Sequence, residues 1–173
     1  RTYVAVSGGF QTGVVLPSRS YYANITKCSV VKKGDVLKIS PNYNNLVIDH
    51  AKIKTTHFED VPLLVFEGPE FQQLTKNQQE QLFKRDFTVS NLNNRMAYQL
   101  NEILKNTLSP IITSAVLPGT VQLTPNGTLI VLMRDAQTTG GYPRILQLSE
   151  SAINRLAQKI VNDLIRFKRT TGL

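Results

Sequence analysis

The sequence predicts a mainly β domain carrying two helices. Three observations predict it. Short runs rich in Val, Ile, Leu, Phe and Thr recur at close spacing along the 173 residues. Glycine, proline and asparagine punctuate those runs as turns. Only two stretches, near 76–84 and 153–164, change to a helical period. A doubly wound α/β fold would need a helix between most strands, and the intervals leave no room for them. The pattern alone does not decide between a barrel and a sandwich.

Taken in order, Thr2 to Ser7 alternates and is rich in β-formers, and Gly8-Gly9 ends it as a turn. Lys33-Gly34-Asp35 predicts a turn into a short strand, Val36 to Ile39. Pro41 to Asn45 reads as a loop, and Val47 to Ile53 is weakly patterned. Pro62 to Phe66 predicts a buried strand closed by Gly68-Pro69. Thr75 and Gln78 stand at capping-box spacing and predict a short helix over 76–84, with Leu82 and Phe83 as its apolar edge. Phe87 to Ser90, Arg95 to Leu100, Ile111 to Val116 and Val121 to Thr124 read as extended, with a turn at Pro118-Gly119. Asn126-Gly127 before Leu129 to Met133 is a hairpin signal. Pro143 to Leu148 predicts a further strand. Ile153, Leu156, Ala157, Ile160, Val161 and Leu164 recur at helical spacing and predict one long final helix.

Composition narrows the function classes. Apolar residues make up 41% of the chain, enough for a core, which excludes a charged disordered chain. No run approaches the roughly 18 to 20 apolar residues of a membrane helix, so no membrane partner is expected. The 20 Lys+Arg against 12 Asp+Glu give a net charge of +8. Those basic residues are scattered (Lys27, Lys32, Lys33 and Lys38 early, Arg155, Lys159, Arg166, Lys168 and Arg169 late) rather than gathered beside aromatics, so no nucleic-acid partner is expected. A single cysteine, Cys28, suits a reducing compartment, and a cytoplasmic location is expected. Arg1 stands directly before a strand-like run, which reads as a fragment or a trimmed chain.

Familiar catalytic signatures are missing. The chain has no G-x-x-x-x-G-K-[ST], G-x-G-x-x-G, G-x-S-x-G or H-E-x-x-H. His50 and His57 are seven apart, which on a strand sets them on opposite faces, and Cys28 has no nearby partner; no metal is expected. Glu59-Asp60 and the Glu67 and Glu70 pair read as solvated surface. The sequons at Asn24 and Asn126 read as chance without a secretory signal.

One segment carries chemistry: Asp135-Ala136-Gln137-Thr138-Thr139-Gly140-Gly141-Tyr142-Pro143-Arg144. It follows an apolar strand and its side chains make poor core. Gly140-Gly141 allows positive φ, so consecutive backbone N–H groups can converge on an anion or a carbonyl oxygen. Thr138 and Thr139 add hydroxyl donors, and Arg144 can clamp a carboxylate or phosphate. A polar β-turn capped by Asp135 would account for the same residues. Ser90 to Tyr98 is a second polar cluster between strands, and Pro17 to Tyr22 is a third.

Together these segments resemble the allophanate hydrolase subunit 2 family, also known as the 5-oxoprolinase C-subunit family and as biotin-dependent carboxyltransferase. The residues that carry the resemblance are Pro118 to Gly127, Ile130 to Met133 and Asp135 to Ile145, with Tyr3 to Gly9, Ser18-Arg19-Ser20, Gly34 to Leu37, Gly68-Pro69-Glu70 and Asn94 to Tyr98 in family order. The resemblance implies a cyclophilin-like β-barrel. It also implies that residues 1–173 form one fragment, the C-terminal portion of a domain whose first third lies upstream. Four positions depart from the family pattern: Asn94 stands for Asp, Ala97 for Gly, Gln99 for Arg and Ala115 for Glu.

The implied activity is that of an enzyme component which works only in complex. Its partners would be an allophanate hydrolase subunit 1-type protein and a third 5-oxoprolinase subunit, and the set cleaves 5-oxoproline to glutamate with ATP. A carboxyltransferase that moves carboxylate from carboxybiotin to urea, and a non-catalytic antagonist of a sensor-kinase inhibitor, are the alternatives. Each of the two chemistries holds a planar N–C=O group and stabilises charge on its oxygen. On that reading Thr138, Thr139, Gly140 and Gly141 supply donors, Gln122 and Gln137 bond the amide, Asn94, Arg95 and Arg144 hold the substrate, and Tyr98 or Tyr142 passes a proton.

Overall fold

The computed structural model describes residues 3–22, 24–27, 30–40 and 61–170. Cys28, His50, His57, Glu59-Asp60, the loop 41–45 and the segment 47–53 lie outside the described residues. The chain divides into two compact units, 1–55 and 56–173.

In the first unit the turns form where glycine predicts them. Gly9 N–H donates to Val6 O, and Asp35 N–H to Lys32 O. Of the strands expected at Thr2–Ser7 and Val36–Ile39, none forms among the described residues. There, residues 3–6 have no ladder partner, and Ile39 pairs with Phe10 in an isolated bridge. A β-prone sequence becomes a strand only when a partner takes up its N–H and C=O groups.

The second unit is the expected mainly β barrel with two helices. Its elements are β1 (Leu63–Glu67), α1 (Lys76–Lys84), β2 (Phe87–Asn93), β3 (Ala97–Leu100), β4 (Ser114–Ala115), β5 (Thr120–Leu123), β6 (Leu129–Leu132), β7 (Thr139–Gly140), β8 (Arg144–Leu148), α2 (Glu150–Leu156), β9 (Leu164–Ile165) and β10 (Phe167–Arg169). Eight strands form one sheet in the order β10-β1-β8-β5-β6-β3-β2-β9, while β4 and β7 make a separate ribbon. Among the described strands only the β1/β10 pairing is parallel. The two outermost strands, β9 and β10, are separated in sequence by Arg166 alone. One short segment therefore serves both edges of the sheet. Asn162 N–H and Leu63 N–H donate to Val89 O and Arg166 O, stitching it to either side.

Alternation along the strands fills the barrel. Tyr98 and Leu100 of β3, Val121 and Leu123 of β5, and Leu129 and Val131 of β6 belong to one core cluster with Val65, Phe87 and Phe167. The Phe87 and Phe167 rings lie 5.4 Å apart, tilted, across the closure. A register irregularity on β8 turns both Ile145 and Leu146 inward and leaves Arg144 opposite Gln122.

The first helix starts as its sequence dictates. Thr75 Oγ1 accepts from Gln78 N–H at 3.3 Å, and Gln78 Oε1 accepts from Thr75 N–H at 2.7 Å. The Gln78 amide continues inward and donates to Lys105 O, so the cap also fixes the 101–110 connection. The long final helix is corrected. It is α2, capped by Ser149, and it ends at Leu156 after burying Ala152, Ile153 and Leu156. Beyond it Asn162 takes φ +70°, and Leu164–Ile165 pairs with β2. The apolar repeat persists past the helix, but the bare edge of β2 offers ladder hydrogen bonds that a further helical turn could not replace.

Phe167→Ala empties a fully buried site at the closure and is expected to lower unfolding free energy by ~3–5 kcal/mol in denaturant titrations. Thr75→Ala removes one cap and is expected to cost ~1 kcal/mol in the same measurement.

Candidate functional site

The outer face of the sheet is where the core alternation leaves its other half. Gln99, Ile130, Gln122 and Arg144 are successive cross-strand partners on β3, β6, β5 and β8. Residues two along from these, Thr124, Thr128 and Tyr142, lie on the same face. Gln99, Thr124, Asn126, Thr128, Ile130 and Tyr142 line a cavity of ≈ 300 Å³ there. That volume is at the small end of ligand-binding clefts. The tight turn after β5 forms its floor. Thr124 Oγ1 donates to Thr128 O at 2.9 Å, Asn126 Oδ1 accepts from Thr128 N–H, and Gly127 sits at φ +86° against Leu104 O, where a Cβ would come within 2.5 Å.

Gln122 is 2% exposed although it lies on the outer face, because the β4/β7 ribbon covers it. Its Nε2 is a buried donor with no acceptor among the described residues. A Cβ on Gly140 would stand 2.5 Å from that nitrogen. The conformation expected of the glycine pair is corrected. Neither Gly140 nor Gly141 adopts positive φ. They run as ribbon: Gly140 pairs with Ser114, and Gly141 O accepts from Ile111 N–H at 2.9 Å. Glycine is required there by close approach to Gln122, not by backbone handedness. Thr138 O accepts from Val116 N–H, Thr139 pairs with Ala115, and the Gln137, Thr138 and Thr139 side chains are exposed.

The remaining expected residues disperse. Tyr98 points into the barrel, 1% exposed, with its hydroxyl 3.4 Å from Lys159 O, so the sheet separates it from Tyr142. Asn94 serves the β2–β3 turn: its Oδ1 accepts from Met96 N–H at 2.8 Å and Ala97 N–H at 3.1 Å. Arg95 reaches across the same end to Asp135, at 2.7 Å, with both side chains well exposed. Arg144 is engaged rather than free. Its Nε and Nη2 donate to the two oxygens of Glu70 at 3.0 and 2.8 Å, and Nη1 donates to Ala115 O.

Glu70 therefore corrects the reading of Glu67 and Glu70 as solvated acids. It is 8% exposed and also accepts from Arg144 N–H. The Arg144 guanidinium bonded to Glu70 holds its carboxyl below the ordinary range, against the opposing effect of burial. The same pairing raises Arg144. The sequence signals for Glu70 are its place directly after Gly68-Pro69, where a turn ends a buried strand, and its part in the family resemblance. The cavity residues Thr124 and Ile130 lie in segments that carry the resemblance, but with Thr128 they carry no chemical signature of their own.

Because the folded carboxyl titrates below its unfolded value, the pair's stabilisation is complete above about pH 4.5 and is lost as pH falls through the lowered value. Glu70→Gln is expected to cost ~1.5–3 kcal/mol at pH 7. The mutant should also lose less stability than the parent between pH 5 and about pH 3, as thermal melts across that interval would register.

The comparisons with known proteins agree with this architecture. A family model described as the carboxyltransferase domain, subdomain A and B, matches residues 1–169. The C subunit of the 5-oxoprolinase of Escherichia coli (strain K12) is 34% identical over 176 residues, covering 96% of this chain. That of Haemophilus influenzae is 28% identical over 174 residues. The chain spans 55% of the length of each of these relatives. The crystal structure of the Kluyveromyces lactis urea carboxylase superposes with a TM-score of 0.67 at 19% identity, over 95% of this chain and 17% of that one, a likeness of fold. With the match running through nearly every described residue, the chain belongs to the carboxyltransferase-domain family, subdomains A and B.

Proposed function

We propose that this chain is part of the C subunit of a 5-oxoprolinase-type enzyme, which opens the cyclic amide 5-oxoproline to glutamate with ATP. Its partners on this reading are a subunit 1-type protein and a third subunit. One observation carries the proposal: 34% identity, sustained over 96% of the chain, to a protein named as the C subunit of 5-oxoprolinase. The geometry lends support. Tyr142 and Gln99 bring a phenol and an amide to one small cavity, groups able to donate to an amide oxygen as charge grows on it.

ATP does not fit the residues around this cavity. Among the described residues no charged side chain lines it, and Arg144 and Arg95 are both paired with carboxylates. A triphosphate needs several free cationic or backbone donors, so nucleotide chemistry is assigned to the partners and no step here passes through it. A second reading is the carboxyltransferase of a biotin-dependent urea carboxylase-like system. The urea carboxylase fold and the name of the family model favour it.

Reconstitution decides between the two. The whole natural polypeptide bearing this sequence, mixed with its subunit 1-type and third partners, should consume ATP and 5-oxoproline together. Activity only with a biotin carboxylase and urea would establish the second reading instead. Within the working complex, Tyr142→Phe is expected to lower kcat by roughly 10²-fold if the phenol moves a proton. Thr139→Ala, on the exposed ribbon, is expected to lower kcat by about tenfold if its hydroxyl is a donor. Unchanged turnover in both variants would remove these residues from the mechanism.

A further inference from the structure

We infer that the Tyr142 cavity receives only the neutral N–C=O portion of its ligand, and that any carboxylate on that ligand is held outside this cavity. The inference rests on the lactam reading above and deepens it. The cavity wall is made of amides, hydroxyls, one phenol, Pro125 and Ile130, without a charged side chain among its described residues. Such a wall can match an amide's donor and acceptor but gives a carboxylate no compensation for its lost hydration.

The guanidinium best placed to provide that compensation is already spent. Arg144, two residues beyond Tyr142, uses three nitrogens on Glu70 and Ala115 O, and both side chains of its ion pair are largely buried. Turning it toward a ligand would strand the Glu70 carboxylate in a site where it is 8% exposed. Arg95 is held by Asp135 at 2.7 Å, on the β2–β3 turn beyond the cavity. The cavity thus offers groups for N–C=O and, among its described residues, none for an anion.

Paired titrations of the whole natural polypeptide, without partners, test this with 2-pyrrolidinone (the uncharged ring) and 5-oxoproline (the same ring with a carboxylate). Amide and side-chain NMR shifts of Gln99 and Tyr142 report occupancy. Both ligands are expected to shift Gln99 and Tyr142 alike at saturation. Tyr142→Ala should weaken both by about the same factor, near tenfold. Gln99→Arg should tighten 5-oxoproline alone by about tenfold, an effect that shrinks with added salt. Thr128→Arg repeats that arm from a neighbouring wall position if Gln99→Arg misfolds. Shifts at Gln99 and Tyr142 that are larger with 5-oxoproline and collapse with added salt would overturn the inference, as would shifts at neither residue with either lactam. The functional reading fails separately. Equal binding of both lactams without ATP-coupled turnover in the reconstituted complex sinks that reading and leaves the neutral cavity standing. Turnover with an unoccupied cavity does the reverse.

Discussion

The architecture depends on a single segment that satisfies both margins of a sheet. A six-strand sheet from β1 to β2 would present two rows of unpaired N–H and C=O groups, and such edges invite pairing with other chains. Residues 162–170 remove the problem at both ends, antiparallel to β2 through Leu164–Ile165 and parallel to β1 through Phe167–Arg169. Arg166, between the two strands, forms a two-bond contact with Asp86, whose carboxyl it holds below the ordinary range. The aromatic pair Phe87 and Phe167 sits directly beneath. Closure fixes the curvature, and curvature determines which outer-face side chains converge.

Once the barrel is closed, one alternation decides two destinies. Tyr98 and Gln99 are adjacent in sequence, yet one becomes core and the other lines a cavity on the opposite side. The β8 irregularity has a comparable effect on Arg144, which reaches Glu70 from a strand whose next two residues both point inward. The outer face is then roofed in part by the β4/β7 ribbon, and this explains the unusual state of Gln122: a polar side chain on the solvent side of a barrel that water cannot reach.

Local chemistry is the legible part of the sequence. Thr75 and Gln78 announce a helix start because a capping box is made within four residues, and Asn126-Gly127 announces a turn for the same reason. The final helix reads too long because Ile160, Val161 and Leu164 keep the apolar period, while the competitor that stops it, the open edge of β2, lies some 75 residues earlier in the chain and leaves no local trace. Gly140-Gly141 is legible as a special place but not as the right kind: a glycine needed for proximity looks, in one dimension, the same as a glycine needed for positive φ. Glu70 and Arg144 are 74 residues apart, so their pairing has no sequence signature, and each reads as available when it consumes the other.

The parallel pairing of Leu63 with Phe167 has a consequence for biosynthesis. The first strand of the barrel leaves the ribosome about a hundred residues before the strand that covers its edge. At roughly 5–20 residues per second, translation keeps that margin bare for some 5–20 s, with half-built β-structure beside it. Contacts so remote along the chain also slow the search for the native arrangement. The nascent polypeptide is therefore most in need of a holding chaperone between the emergence of Glu67 and that of Arg169, and that need ends abruptly.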